Sequence, residues 1–541
     1  MTTPLPADAE AEPGAAVPGG ASVTDGGRGA FLVGAGIFLS RIVGLVRTRV
    51  LAHYLGLGDA ADAFNAAMRI PNFLQNMFGE GVLSASFIPV YASLIARGEE
   101  REAGRVAGTV AAILTTVVSA VVLAGELASP WLVGFLAGGF EGPKRELTER
   151  LVRVLFPGVG LLVLSAWCLG VLNSHRRFFL SYAAPVLWNA AIILALTMFA
   201  AGRAEPRLAE LAAWGAVVGS ALQLLVQLPT VLRLVPQLRA ARRDEGGQVR
   251  TVVRNFVPVF VGRGVVQVSA FVDTLIAGYL VAGSVAALSN AQLLYMLPVS
   301  LFGMAVSAAE LPAMSSATGD AGAVAAHLRA RLATGVRRIL FFVVPSAVAF
   351  VAVGDSLAGA LFQSGRFTRG DAVWVWGILA AASVGLLPST LGRLFASALY
   401  ALRDARAPLR FAVVRVALGA ALGAVLAFGA PRWLGVDPRW AVAGLAAASG
   451  LAGWAELALL RRAVGRRVGV IPLPPAFAAR IAGAAGAAAA AGLLLKRALT
   501  DVPPLPAGAA VAAVYGLTFL AASAALRVPE AARLAQRLRR R

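Results

Sequence analysis

The chain is almost without the residues that most soluble chemistry relies on. Cys168 is the single cysteine, which excludes an intramolecular disulfide, a CxxC metal site and an iron–sulfur centre. It reads as a small apolar filler. The three histidines, His53, His175 and His327, sit on or beside loops with no clustered carboxylate or cysteine. Metal ligation and histidine-based catalysis therefore find no support. Acidic residues are also scarce, 28 against 49 lysines and arginines, for a net charge of +21. Such a charge can mark nucleic-acid binding, but here the arginines punctuate short loops and form no continuous basic face. Residues 1–27 mix Pro, Gly, Ala and acids without an apolar core, which reads as a disordered tail and not a secretory signal.

What the chain has in abundance is apolar length. Of 541 residues 58% are hydrophobic and 14% charged, and the mean hydropathy is +0.75. Little is left for a separate soluble domain. A span needs about 20 apolar residues, and about fourteen such runs follow one another, the first centred near residue 40 and the last near 516. The expected fold is an all-α integral membrane protein. Alternate loops carry the arginines: Arg97, Arg101 and Arg105; Arg176 and Arg177; Arg239, Arg242 and Arg243; Arg337 and Arg338; Arg403 and Arg406; Arg461 and Arg462. The intervening loops are poorer in arginine or balanced by acids. By the positive-inside rule the arginine-bearing set is cytoplasmic, and an even number of spans puts both termini there.

An internal repeat organises the spans. Ala52-His53-Tyr54-Leu55 is echoed by Ala277-Gly278-Tyr279-Leu280, and each is followed by an Asn-Ala pair (Asn65-Ala66, Asn290-Ala291), then by prolines Pro71 and Pro298, and later by Pro89 and Pro312. Duplicated halves with a substrate site between them are a common transporter plan. The expected organisation is a cytoplasmic tail (1–28), an N-lobe of spans one to six (29–240), a basic linker (241–252), a C-lobe of spans seven to twelve (253–468), two added spans (469–528) and a basic cytoplasmic tail (529–541).

Two arginines interrupt the first span, in Ser40-Arg41-Ile42-Val43-Gly44-Leu45-Val46-Arg47. An arginine at mid-membrane costs roughly 2.5–3.5 kcal/mol on insertion scales, so it faces a bundle interior or a wet cavity and marks a substrate path. The reading is a transporter of something anionic. Arg47, near Arg49, has a second reading as a residue that snorkels to the interface. Gly44 between the arginines is a candidate hinge.

That run, with Asp62-Ala63-Phe64, Arg69-Ile70-Pro71-Asn72-Phe73-Leu74, Gly79-Glu80-Gly81, Phe87-Ile88-Pro89 and, later, Leu361-Phe362-Gln363-Ser364-Gly365-Arg366 and Tyr400-Ala401-Leu402-Arg403-Asp404, resembles the MurJ (MviN) family of lipid II flippases. The resemblance implies the multidrug/oligosaccharidyl-lipid/polysaccharide exporter fold, two six-helix lobes around a central cavity, with the last two spans forming a lipid groove. It implies a monomer of the bacterial cytoplasmic membrane that moves undecaprenyl-diphosphate-linked disaccharide pentapeptide outward for peptidoglycan synthesis. It implies no enzymatic activity, and cell-wall synthases as candidate partners. Matching the motif, Arg41, Arg47 and Ser40 become substrate-binding candidates, with Asp62 and Glu80.

The chain also departs from the family pattern. Gln75-Asn76 stands where a basic residue is common in span two, and Gln292 where span eight commonly carries arginine. Asn76 and Gln292 are then polar substitutes, and Arg263, between Gly262 and Gly264 in span seven, is expected to return positive charge to the cavity. Asp62 and Glu80 each either pair with an arginine or cap a helix. Asp273 and Glu310 either neutralise Arg263 or bind a coupling Na+ or H+; no other cofactor is expected, and the membrane potential is a further candidate driving force. Two other functions fit less well. A multidrug cation exporter wants an acidic cavity, and a membrane acyl- or glycosyltransferase wants a His or paired-acid motif. A flippase for another polyprenyl-linked oligosaccharide shares every feature named above.

Overall fold

The computed structural model of the chain describes residues 23–78, 80–238, 247–316, 320–404, 406–471 and 475–532. Among them there is no β-strand, only an isolated bridge between Ser364 and Phe367. The helices are α1 (Val23–Leu55), α2 (Asp59–Phe78), α3 (Glu80–Ser86), α4 (Ile88–Ala96), α5 (Glu100–Leu127), α6 (Ser129–Leu136), α7 (Gly142–Ser174), α8 (Phe178–Phe199), α9 (Glu205–Leu234) and α10 (Gln248–Gly278). They continue as α11 (Ser284–Pro298), α12 (Ala305–Ser315), α13 (Ala321–Phe362), α14 (Arg369–Ala382), α15 (Leu386–Ala401), α16 (Arg406–Phe428), α17 (Ala430–Leu434), α18 (Ala441–Val468), α19 (Pro475–Ala498) and α20 (Pro504–Ala525).

Twelve helical runs among the described residues are long and apolar enough to cross a membrane. With α1 and α10, at 33 and 31 residues, there are fourteen long passages, matching the apolar runs of the sequence. α1 opens at Val23, before the residue 29 expected, because each residue added to an existing helix gains a backbone bond at little further cost. The first 22 residues, the first half of the basic linker and the end of the C-terminal tail lie outside the described residues.

The second and eighth passages are the interrupted ones, as their prolines suggest. The second carries Pro71 and is divided into α2, α3 and α4. In the eighth, α11 runs through Pro298 into a π-helical turn, Val299–Met304, and then α12, which contains Pro312. Proline removes a helical N–H and crowds the preceding turn, and widened turns of this kind recur at functional sites.

In the first half α7, α8 and α9 pack together, with α1 on α8 and α2 on α7; in the second, α13, α14, α15, α16 and α18 form the matching bundle. α19 and α20 pair with each other and lean on α13. Small residues permit close approach, as in membrane bundles generally. A Cβ at Gly219 would fall 2.8 Å from the Trp188 Cα, and one at Gly215 3.0 Å from the Ile192 Cα. The seam between α8 and α9 is therefore tight enough to fix which face of α8 turns inward.

Candidate functional site

Between the two halves, α1, α2, α7, α8, α9 and α11 enclose a polar cavity of about 450 Å3. Two guanidinium groups line it. Arg47, on α1, lies 4.8 Å from the centroid of the Trp188 ring, and its Nε is buried with no hydrogen-bond partner. Arg69, on α2, donates from Nη2 to Gln292 Oε1 of α11 at 3.0 Å. Among the described residues no carboxylate lines this cavity.

The rest of its polar wall is carboxamide. Asn65, Asn72 and Gln75 come from α2, Asn189 from α8 and Gln223 from α9, while α11 of the other half adds Asn290 and Gln292. Asn65 and Asn290, matched in the sequence repeat, meet across the same space. Asn65 donates to Ala61 O at 2.8 Å, Asn189 to Pro185 O at 3.0 Å and Gln223 to Ser165 Oγ at 3.0 Å. Each bond uses one of the two N–H groups of its amide, and the Asn189 Oδ1 acceptor is left buried without a partner.

A second cavity of about 240 Å3 lies inside the C-lobe and shares Gln292 with the first. Asp273, Arg393 and Arg415 line it. Ser449 Oγ donates to Asp273 Oδ1 at 3.3 Å, and Arg415 Nε lies 3.3 Å from Glu456 Oε2. Glu310, buried, is held away from both cavities by Arg338 at 3.0 Å and Arg331 at 3.3 Å. A third space, about 660 Å3 and almost wholly apolar, runs between α11, α13 and α20, with Leu297, Phe342, Pro345, Ala512 and Gly516 among its walls.

The end of the molecule away from the arginine-rich loops is closed by contacts between the halves. Asp62, 1% exposed, accepts from Lys144 Nζ at 2.7 Å and from the backbone N–H groups of Gly283 and Ala286 at 2.8 Å each. It therefore caps α11 of the opposite half; Gly283, at φ +88°, makes the turn that presents those donors. Asp59 joins Lys144 at 3.0 Å. Arg366 pairs with Glu205 and donates its backbone N–H to His53 O at 2.9 Å, and Arg49 reaches Leu361 O at 3.0 Å.

The residues singled out from sequence are distributed as follows. Arg47 and Gln292 meet in the first cavity. Arg41 is exposed and, like Ser40 and the exposed Asn76, lines none of the three spaces; Gln75 lines the first cavity instead. α1 continues unbroken through Gly44. Asp62 caps the neighbouring half and pairs with a lysine, Asp273 faces the second cavity, and Glu310 pairs with α13 arginines. The side chains of Arg263 and Glu80 lie outside the described residues. Sequence reasoning did not single out Arg69, Trp188, Asn189 or Arg415. Arg69 stood within a quoted motif, Arg415 is a cation in the apolar run of α16 and could have been found as Arg47 was, and Trp188 and Asn189 carry no local signal.

Interrupted spans in two bundles, a basic cavity between them and one end sealed by cross-lobe bonds define a multi-pass α-helical membrane transporter. The fold is that of a solved structure described as lipid II flippase MurJ in an inward closed conformation, with a TM-score of 0.73 at 20% identity over 91% of this chain and 98% of that one. An inward-facing multidrug resistance MATE family transporter of the MOP superfamily matches with a TM-score of 0.64 at 15% identity, over 78% of this chain and 95% of that one. The family model described as lipid II flippase MurJ matches residues 51–500. A probable lipid II flippase MurJ of Haemophilus influenzae is 31% identical over 70% of this chain and 76% of its own length. The lipid II flippase MurJ of Burkholderia cenocepacia is 31% identical over 69% and 73%. The chain belongs to the lipid II flippase MurJ family.

Proposed function

We propose that this protein carries lipid II, the undecaprenyl-diphosphate-linked peptidoglycan precursor, from the inner to the outer leaflet of the bacterial cytoplasmic membrane. The observation that carries the reading is the pair Arg47 and Arg69 in a cavity that has no carboxylate among its described lining residues. Two half-buried cations that between them feel only the Asp273 carboxylate of the neighbouring cavity are under-compensated and costly, and a diphosphate supplies the missing charge through the parallel hydrogen bonds a guanidinium is shaped to give. The apolar space along α11, α13 and α20 suits the polyprenyl tail. A multidrug cation exporter is disfavoured by the same pair of arginines.

With the arginine-rich loops and both termini in the cytoplasm, the bonds around Asp62 close the outward end. The cycle is alternating access: the headgroup enters from the cytoplasm, the cross-lobe bonds break, and the lobes rock to release it outward. Asp273 and Glu310, each beside arginine, serve charge balance, so transport does not depend on sodium bound at either. The chain acts as a monomer, without a cofactor or covalent step, and hands its cargo to cell-wall synthases. The test is depletion of the resident flippase: lipid II should accumulate on the inner leaflet, and this chain alone should return it to the outer one. Failure to relieve the block would remove the reading.

A further inference from the structure

Resting on the reading above, we propose that the α8 wall of the first cavity, Trp188 and Asn189, recognises the N-acetyl group of an amino sugar attached to the diphosphate. Three buried polar atoms on residues that line this cavity have no partner among the described residues: Arg47 Nε, Trp188 Nε1 and Asn189 Oδ1. Two are donors and one is an acceptor. A phosphate oxygen can satisfy the donors, but it cannot satisfy Asn189 Oδ1, which needs an O–H or N–H. The identity of that atom follows from its neighbour, since Asn189 Nδ2 is committed to the Pro185 carbonyl at 3.0 Å, which can only accept.

Asn189 is 5% exposed, and leaving a buried acceptor empty is destabilising. A donor at Trp188 beside an acceptor at Asn189 is the complement of an amide, whose C=O would take the indole N–H and whose N–H would meet Asn189 Oδ1. Gly44 of α1 faces the same atom, and a Cβ there would come into ordinary contact with it, 3.7 Å from Oδ1. The carboxamide wall supports a saccharide ligand for the same reason. Carboxamides offer both donors and acceptors, as a sugar requires, whereas a bare diphosphate requires donors only. The volume, about 450 Å3, lies within the roughly 300–1,000 Å3 typical of small-molecule sites.

The experiment uses the full chain in nanodiscs and two soluble probes, UDP-N-acetylglucosamine and UDP-glucose, which differ only at the sugar C2 substituent. The expected result is about tenfold tighter binding of the N-acetylated probe, the scale of one or two hydrogen bonds. Asn189→Leu should bring the ratio close to one. Gly44→Ala, which favours the helix and places a methyl against Asn189 Oδ1, should reduce the ratio in the same direction and guards against a folding defect in the first variant. Equal affinity of the wild-type protein for both probes, as expected if only water fills the wall, would overturn the proposal. So would a ratio that survives both variants. Rescue of lipid II export with a ratio of one sinks the sugar subsite alone; a tenfold ratio without rescue sinks the transport reading and leaves the subsite standing.

Discussion

Arg69 and Gln292, 223 residues apart, meet across the boundary between the two halves through a single 3.0 Å hydrogen bond inside the first cavity. The bond joins a charged donor to a neutral acceptor. An anionic ligand offers Arg69 a stronger charge-assisted partner, so substrate arrival competes directly with a contact that ties α2 to α11. Arg69→Gln is expected to lower flipping tenfold or more, because Arg47 is then the one guanidinium left among the described lining residues. Gln292→Ala, which keeps the cation and removes only its neutral acceptor, should cost about threefold or less. Rescue of lipid II export in depleted cells, corrected for protein level, measures both; equal losses in the two variants would count against competition for Arg69.

Asp62 is predicted to set how long the outward end stays shut. Asp62→Asn keeps the shape but weakens the cap on α11 and leaves Lys144 with Asp59 alone. Loss of charge-assisted bonds on this scale is worth about 1–3 kcal/mol, enough to raise a minor open population about tenfold. Cys168 is buried and is the single native cysteine, so a cysteine placed at Leu57, whose carbonyl abuts Gly283, reports the opening cleanly. Its maleimide labelling in nanodiscs should accelerate about tenfold in the Asp62→Asn background. An unchanged rate would mean that Asp62 holds nothing that moves.

Much of the fold was legible because membrane spans are written in bulk hydrophobicity, and the lobes because the repeat preserved its tyrosine, asparagines and prolines. The cavity was legible only in part. Arg47 betrayed itself as a cation in an apolar run, whereas Asn189 and Trp188 sit in an unremarkable alanine-rich span. Their orientation is decided by Gly215 and Gly219 on α9, which let that helix press against α8. Asp62 had two readings from sequence, cap or ion pair, and does both; its partners are Lys144 and the start of α11, neither of which is near it in the chain. Arg41 carries the same sequence signal as Arg47 but ends up exposed. Two residues six apart on a helix lie about 120° apart around its axis, so one apolar run cannot point both the same way.

At the arginine-rich end, Asp404 makes a pH prediction. It accepts from Arg467 at 2.6 Å and from the backbone N–H groups of Arg406 and Ala407 at 3.1 Å each. The backbone bond from Ala407 leads, with the Arg467 charge contributing, in holding its carboxyl below the usual carboxylate value. A carboxyl depressed on folding adds stability that is fully present above its unfolded pKa, about 3.9, and is lost as the pH falls through the lower, folded value. Asp404→Asn should therefore lower the thermal midpoint at pH 6 to 8, and the gap to wild type should narrow as the pH is taken below about 4. A gap that is constant with pH would assign the effect to shape and not to charge.

The apolar space beside α20 gives a test of tail passage that leaves the charged cavity untouched. Gly516 lines that space, and a Cβ added there would meet no atom within 4 Å. Gly516→Trp thus has room to be accommodated without forcing the helices apart, and replacing glycine inside a helix removes a penalty of up to about 1 kcal/mol. The indole would occupy a large part of the volume between α13 and α20. If the polyprenyl chain lies there while its headgroup is in transit, export should fall about tenfold or more, since the tail could no longer follow the headgroup along that route. Binding of soluble UDP-N-acetylglucosamine, which has no tail, should stay within about twofold of wild type, as should the thermal midpoint to within a few degrees. Full export by Gly516→Trp would place the tail in the surrounding bilayer throughout the cycle and leave the apolar space without a part in transport.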